Sequence, residues 1–151
     1  MQAELEYEIF SQLGEGAFWN YETKEFFWVD IIQKRVHIYN PETGTDRYFE
    51  TPSPVGMVVP ASQGRAVIAL EDGIYMLDTT SGAIEPLSDI EKDMPENRFN
   101  DGKCDPLGNL WVGSMHYPQN KPNASLYRVS PDGSAKRMID SVTISNGIVW
   151  T

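Results

Sequence analysis

Four side chains stand in settings suited to binding chemistry. Glu15 follows Gly14 just ahead of a run through Trp19. A carboxylate there is either a hard oxygen ligand for Ca²⁺, Mg²⁺, Mn²⁺ or Zn²⁺ or an exposed turn acid. Asn146 precedes Gly147 in S-N-G, a pair that forms a tight turn because Asn tolerates and Gly prefers positive φ. Arg98 and Asn100 alternate around Phe99. In an extended segment residues i and i+2 share a face, so both project together while Phe99 packs behind. A guanidinium beside an amide suits a polyhydroxylated or carbonyl-bearing ligand; the plainer alternative pairs Arg98 with a surface acid such as Asp101. Asp101, followed by Gly102, reads as a structural turn residue. His37 and His116 lie 79 residues apart with no further ligand at metal-binding spacing, so they read as strand-surface or channel-lining groups. Ser11, Ser53 and Ser145 lack the G-x-S-x-G elbow of a serine hydrolase.

The elements that must carry these residues are strands. Helical periodicity is nearly absent, and short β-branched or aromatic runs are cut by Gly, Pro, Asn and Asp about every ten residues. The runs repeat. ETKEFFWVD (22–30), SQGRAVIAL (62–70) and PLGNLWVGS (106–114) each feed a polar turn into a strand, with starts 40 and 44 residues apart. A second set follows each time: HIYNPETGTDRYF from His37, IYMLDTTSGAIEPL from Ile74 and LYRVSPDGSAKRMI from Leu126. Four strands per unit at this period is the pattern of propeller blades. The expected blades are about 13–51, 53–91 and 97–140, with a fourth beginning near 142. Three blades and a fragment would leave two apolar faces bare. The chain therefore reads as the N-terminal half of a longer protein, the alternative being two copies that meet to close a ring. Trp19, Trp28, Trp111 and Trp150 are expected to fill the core between blades.

Composition narrows the function. The 151 residues carry 12 basic and 22 acidic side chains, a net charge of −10. With no Lys/Arg cluster, that balance argues against phosphate-backbone binding of nucleic acid and against anionic membranes, and it favours a cation site. Four Trp, seven Tyr and six Phe are too many for a disordered chain. No apolar run approaches the ~20 residues that span a bilayer. The N-terminus is acidic where a signal peptide would be basic. Cys104 stands alone, which fits a reducing compartment. The expectation is a cytoplasmic globular chain.

Four motifs then occur in order: L-G-E-G-A-F-W (13–19), F-F-W-V-D-I (26–31), N-R-F-N-D-G-K-C-D-P-L-G (97–108) and I-S-N-G-I-V-W (144–150). Together they resemble the regucalcin family, also called senescence marker protein 30 or gluconolactonase-like proteins. The resemblance implies an all-β, six-bladed propeller of nearly twice this length. It implies one divalent metal ion in the central channel, Ca²⁺ or Zn²⁺ foremost with Mg²⁺ or Mn²⁺ as alternatives, and hydrolysis of sugar lactones to aldonic acids. It makes Glu15 and Asn146 metal ligands and Arg98 and Asn100 substrate contacts. The family's second acidic ligand, an Asp also proposed as the catalytic base, has no match before Thr151, so the base is unassigned. Where some members place an acidic substrate contact shortly after G-T-M, this chain has G-S-M followed by His116, Tyr117 and Pro118. Two rival readings remain: a non-catalytic calcium-binding or regulatory propeller, and a paraoxonase-like esterase.

Overall fold

The computed structural model describes residues 2–150, which hold twelve strands and no helix. Strands β1 (Gly14–Asn20), β2 (Glu25–Asp30), β3 (Arg35–Asn40) and β4 (Thr45–Glu50) form one sheet. Strands β5 (Met57–Ala61), β6 (Arg65–Leu70), β7 (Gly73–Asp78) and β8 (Ile84–Ser88) form the next, and β9 (Asn97–Cys104), β10 (Leu110–His116), β11 (Ala124–Val129) and β12 (Ala135–Val142) the last. Each is an antiparallel meander in chain order. Several turns open on Asn or Asp. Asn40 Oδ1 accepts from the amides of Glu42 and Thr43, and Asp78 Oδ1 from those of Thr80 and Ser81. The side chain thus satisfies turn amides that no ladder can reach.

Packing explains the sequence pattern. The middle sheet is buried on both faces, so β5 and β6 read as nearly unbroken apolar runs. Val58, Ala66, Ile68 and Leu70 pack against Phe27, Val29, Val36 and Ile38 of the first sheet. Met57, Val59, Ala69 and Ile74 pack against Phe99, Leu110, Val112 and Tyr127 of the third. Full burial of each Val, Leu or Ile is worth roughly 1.5–3 kcal/mol, so these two inter-sheet cores hold the stack together.

The first strands β1, β5 and β9 lie side by side and line the inner edge. Gly56 marks how close they come: a Cβ there would sit 2.3 Å from the Phe99 carbonyl oxygen. After β12 the chain folds back along the end of β10. Met115 bridges Ile144, His116 N donates to Thr143 O at 3.0 Å, and Ser145 N donates to Ser114 O at 3.1 Å. That bridge is all the regular structure in 143–150; Thr151, the last residue of the expected fourth unit, lies outside the described residues.

The tryptophans differ from expectation. None belongs to either inter-sheet core. Trp28 is buried by stacking on His37 at 4.7 Å. Trp19 and Trp28 help line a cavity of about 450 Å³ between residues 4–9 and the far face of the first sheet. Trp111 meets Trp150 edge-on at 5.6 Å. They occupy the faces of the outer sheets that have no sheet opposite. Both histidines are also buried rather than at a strand surface: His37 Nδ1 lies 2.8 Å from Asp46, and His116 is wholly enclosed.

Candidate functional site

The starts of β1, β5 and β9 sit at one end of the stack, together with the β6–β7 turn and the end of β10. At that end Glu15 is placed by Asp30. The Asp30 carboxylate is fully buried and accepts from the amides of Gln12 (2.7 Å), Leu13 (3.2 Å) and Gln33 (3.1 Å). Burial pushes its carboxyl up, but these backbone bonds outweigh burial and hold it below the ordinary value. Residues 12 and 13 are thereby pinned just ahead of Gly14 and Glu15. Past Glu15 the register with β2 shifts, with Gly16 in the left-handed region at φ 63°. Such bulges re-aim a side chain, and Glu15 is exposed.

Arg98 and Asn100 come from the start of β9. Asn97, the residue before Arg98, is tied by its Nδ2 to Glu91 Oε2 at 3.0 Å, while Ser114 Oγ and Tyr127 Oη donate to Glu91 Oε1 at 2.8 and 2.9 Å. Three donors on one carboxylate fix this strand end to β10 and β11. Asn100 is the extra residue of a second bulge, because Phe99 faces Ser114 while Asp101 faces Gly113. The bulge breaks the plain i, i+2 alternation on which the shared-face expectation rests. Arg98 is 9% exposed and donates Nη1 to the Phe99 carbonyl at 2.8 Å. Burial draws its pKa down, opposed by Tyr117, Glu15 and Glu71. Charges from three sheets therefore act on one guanidinium.

Asn146 joins from the segment after β12. Asn100 Nδ2 donates to the Ser145 carbonyl at 2.9 Å, and the Gly147 amide donates to Asp101 Oδ2 at 2.8 Å. The residues on both sides of Asn146 are thus held by β9, and Asn146 itself is exposed. Asp101 lies inside β9 rather than in a turn, and it does not pair with Arg98. Its structural role, unread in the sequence, is to anchor S-N-G. At Gly113 a Cβ would fall 1.9 Å from Ser145 Oγ, so only glycine lets this segment dock.

Tyr117 and Glu71 are the further site residues. The Arg98 guanidinium carbon lies 5.8 Å from the Tyr117 ring centroid, and the Tyr117 hydroxyl donates to Glu71 Oε1. Burial first, then Glu71, pushes the Tyr117 hydroxyl up to about 12, so it remains a donor at neutral pH. Among the described residues no group of three or more His, Cys, Asp or Glu is spaced to hold a metal. Glu15 and Asn146, the ligands that the resemblance implies, would offer only hard oxygens, which suit Ca²⁺, Mg²⁺ or Mn²⁺ better than a thiolate- or imidazole-seeking ion.

Comparison with known proteins gives this arrangement a context. The family described as the SMP-30/Gluconolactonase/LRE-like region matches residues 13–151. The chain belongs to that family. Over 141 residues it is 32% identical to the 6-deoxy-6-sulfogluconolactonase of Pseudomonas putida, covering 93% of this chain and 48% of that protein. A solved luciferin-regenerating enzyme superposes with a TM-score of 0.84 at 34% identity, covering 93% of this chain and 49% of the other. Regucalcin of Agrobacterium tumefaciens, described as a calcium-binding protein, superposes with a TM-score of 0.83 at 27% identity over 89% and 45% of the two chains. The chain spans about half the length of the curated relatives it matches. Its three sheets are blades of an SMP-30/gluconolactonase-type propeller, open where further blades would stand.

Proposed function

We propose that this chain carries part of the site of a divalent-metal-dependent lactonase that opens sugar lactones to aldonic acids. The observation that supports this reading best is the buried Arg98 guanidinium against the Tyr117 ring, with Tyr117 bonded to Glu71, beside the segment that β9 holds around Asn146. Glu15 and Asn146 are the oxygens that would hold the metal. When bound, a divalent cation supplies Lewis-acid polarisation of a carbonyl.

The chain's own residues supply position. Arg98 has one N–H committed to the Phe99 carbonyl, and its remaining donors point their hydrogen bonds at lactone oxygens. Asn100 spends Nδ2 on Ser145, which leaves its Oδ1 to accept from a sugar hydroxyl. Held in this way, the lactone meets water in nearly intramolecular fashion. The water oxygen bonds to the carbonyl carbon, the ring C–O bond breaks, and the ring oxygen leaves as a hydroxyl. The aldonic acid then ionises and releases one proton.

That proton gives the test. A pH-stat run with five- and six-membered aldonolactones should show release that Ca²⁺ or Mn²⁺ supports and a chelator abolishes. Release that ignores the chelator, or that favours aryl esters over lactones, would overturn the reading. A second reading, calcium binding without turnover, draws on the oxygen-only donor pair; metal uptake with no acceleration of any lactone would favour it. The free, half-buried Cys104 fits a cytoplasmic setting. Closure of the ring would come from a C-terminal half or a second copy packed on the outer sheets.

A further inference from the structure

We infer that the cleft between the second and third sheets, at the ends of β5 and β9 opposite to Arg98, binds an apolar carboxylate. It shares no residue with the lactone site and does not depend on the lactonase reading. Just ahead of β5, at Gly56, the two sheets approach so closely that an added Cβ would strike the Phe99 carbonyl. At the other ends of the same strands they leave a cavity of about 460 Å³, a volume that accommodates a small ligand.

The lining sets the ligand's chemistry. Val67, Met76 and Leu87 of the second sheet face Leu110 and Val129 of the third across the space. Val67 and Met76 are partners across the β6–β7 ladder and so present one continuous apolar strip. Val67, Met76 and Leu87 are only half-buried, and a hydrocarbon chain laid along them removes that surface from water. Arg65 is the only charged side chain among the lining residues. Its Nε is enclosed and has no hydrogen-bond partner among the described residues, a state that is costly to leave unmet. Asp78, opposite Arg65 in the ladder, feels its charge but spends Oδ1 on the amides of Thr80 and Ser81 and makes no ion pair with it. A carboxylate matches the guanidinium fork. A sugar fits this cleft poorly, because its hydroxyls would lie against an apolar wall without partners.

Cys104 supplies the test, because it lines the cavity and is the only cysteine in the chain. Its alkylation by iodoacetamide at mildly alkaline pH, followed by mass spectrometry, therefore reads this place alone. The probes are octanoate, 1-octanol as the tail without the charge, and acetate as the charge without the tail. Octanoate should slow the labelling at concentrations where acetate does nothing, and should do so more strongly than 1-octanol. Arg65→Gln should raise the half-protecting concentration of octanoate about 10-fold, the loss of a charge-assisted hydrogen bond, and leave that of 1-octanol unchanged. A loosened fold would shift both probes together, so the difference between them isolates the guanidinium. Labelling that octanoate does not slow, protection by acetate as strong as by octanoate, or an Arg65→Gln variant in which octanoate and 1-octanol move alike would overturn the inference.

Discussion

Replacing Gly56 with Ala tests the geometry that brings β9 into the site. Gly56 is buried at the start of β5, and its φ is outside the left-handed region, so the demand for glycine is one of space alone. An added Cβ would lie 2.3 Å from the Phe99 oxygen, 2.7 Å from its carbonyl carbon and 3.0 Å from the Asn100 amide nitrogen. All three are backbone atoms and cannot swing away. Ordinary carbon contacts begin near 3.5 Å, so β5 and β9 must part by roughly 1 Å. Overpacking of this kind costs about 3 kcal/mol, offset by up to ~1 kcal/mol because Ala loses less backbone entropy than Gly. A net loss of about 2 kcal/mol lowers Tm by roughly 4–8 °C in a chain of this size. Gly108→Ala is the control. It has open space around the new Cβ and only its φ of 83° to strain, which costs about 1 kcal/mol. Scanning calorimetry on both variants reads the difference. A fall for Gly56→Ala no greater than that for Gly108→Ala would refute the argument that β5 and β9 touch backbone to backbone at the site.

Other outcomes follow from single groups. Asp101→Ala should free the Gly147 amide, raising its hydrogen exchange and costing about 1–2 kcal/mol in denaturant unfolding. Asp30→Asn should loosen residues 12 and 13. Because the folded pKa of Asp30 is lowered, its stabilisation is present above the unfolded value of about 3.8 and is lost as pH falls through the lower folded value. An acid unfolding midpoint identical in the Asn variant would contradict this. At the alkaline end, Tyr117 has its folded pKa raised from 10.0 to about 12. The stability it lends is therefore complete below pH 10 and disappears as pH climbs from 10 to 12. Tyr117→Phe should flatten the stability curve across that window.

The fold was legible because its information is local. Most strands carry their own β-branched or aromatic residues, several turns open on an Asn or Asp that bonds nearby amides, and the unit recurs, so the three blades can be read from Trp28, Ile68 and Val112 in matching places. The site was legible only in part. Glu15, Arg98, Asn100 and Asn146 stand in recognisable motifs. Glu71 and Tyr117, by contrast, are separated by 46 residues and meet through the docking of two sheets, which no local pattern encodes. The bulge at Asn100 arises from the register of β9 against β10, a relation between strands rather than within one. Asp101 looked like a turn because Asp-Gly often is one. Here Gly102 sits in mid-strand, where a Cβ would come within 2.8 Å of the Trp111 oxygen. The tryptophans were read as inter-blade core from their bulk alone, which does not say which faces find a neighbour.

The most direct measurement is paramagnetic broadening by Mn²⁺ in the amide spectrum of the isotope-labelled chain. Broadening at low Mn²⁺ should centre on Glu15 and Asn146, extend to Arg98 and Asn100, and disappear in Glu15→Gln. Broadening spread over the acidic surface of a chain with net charge −10, or centred elsewhere and untouched by Glu15→Gln, would contradict a metal-holding site at the inner end of β1 and β9.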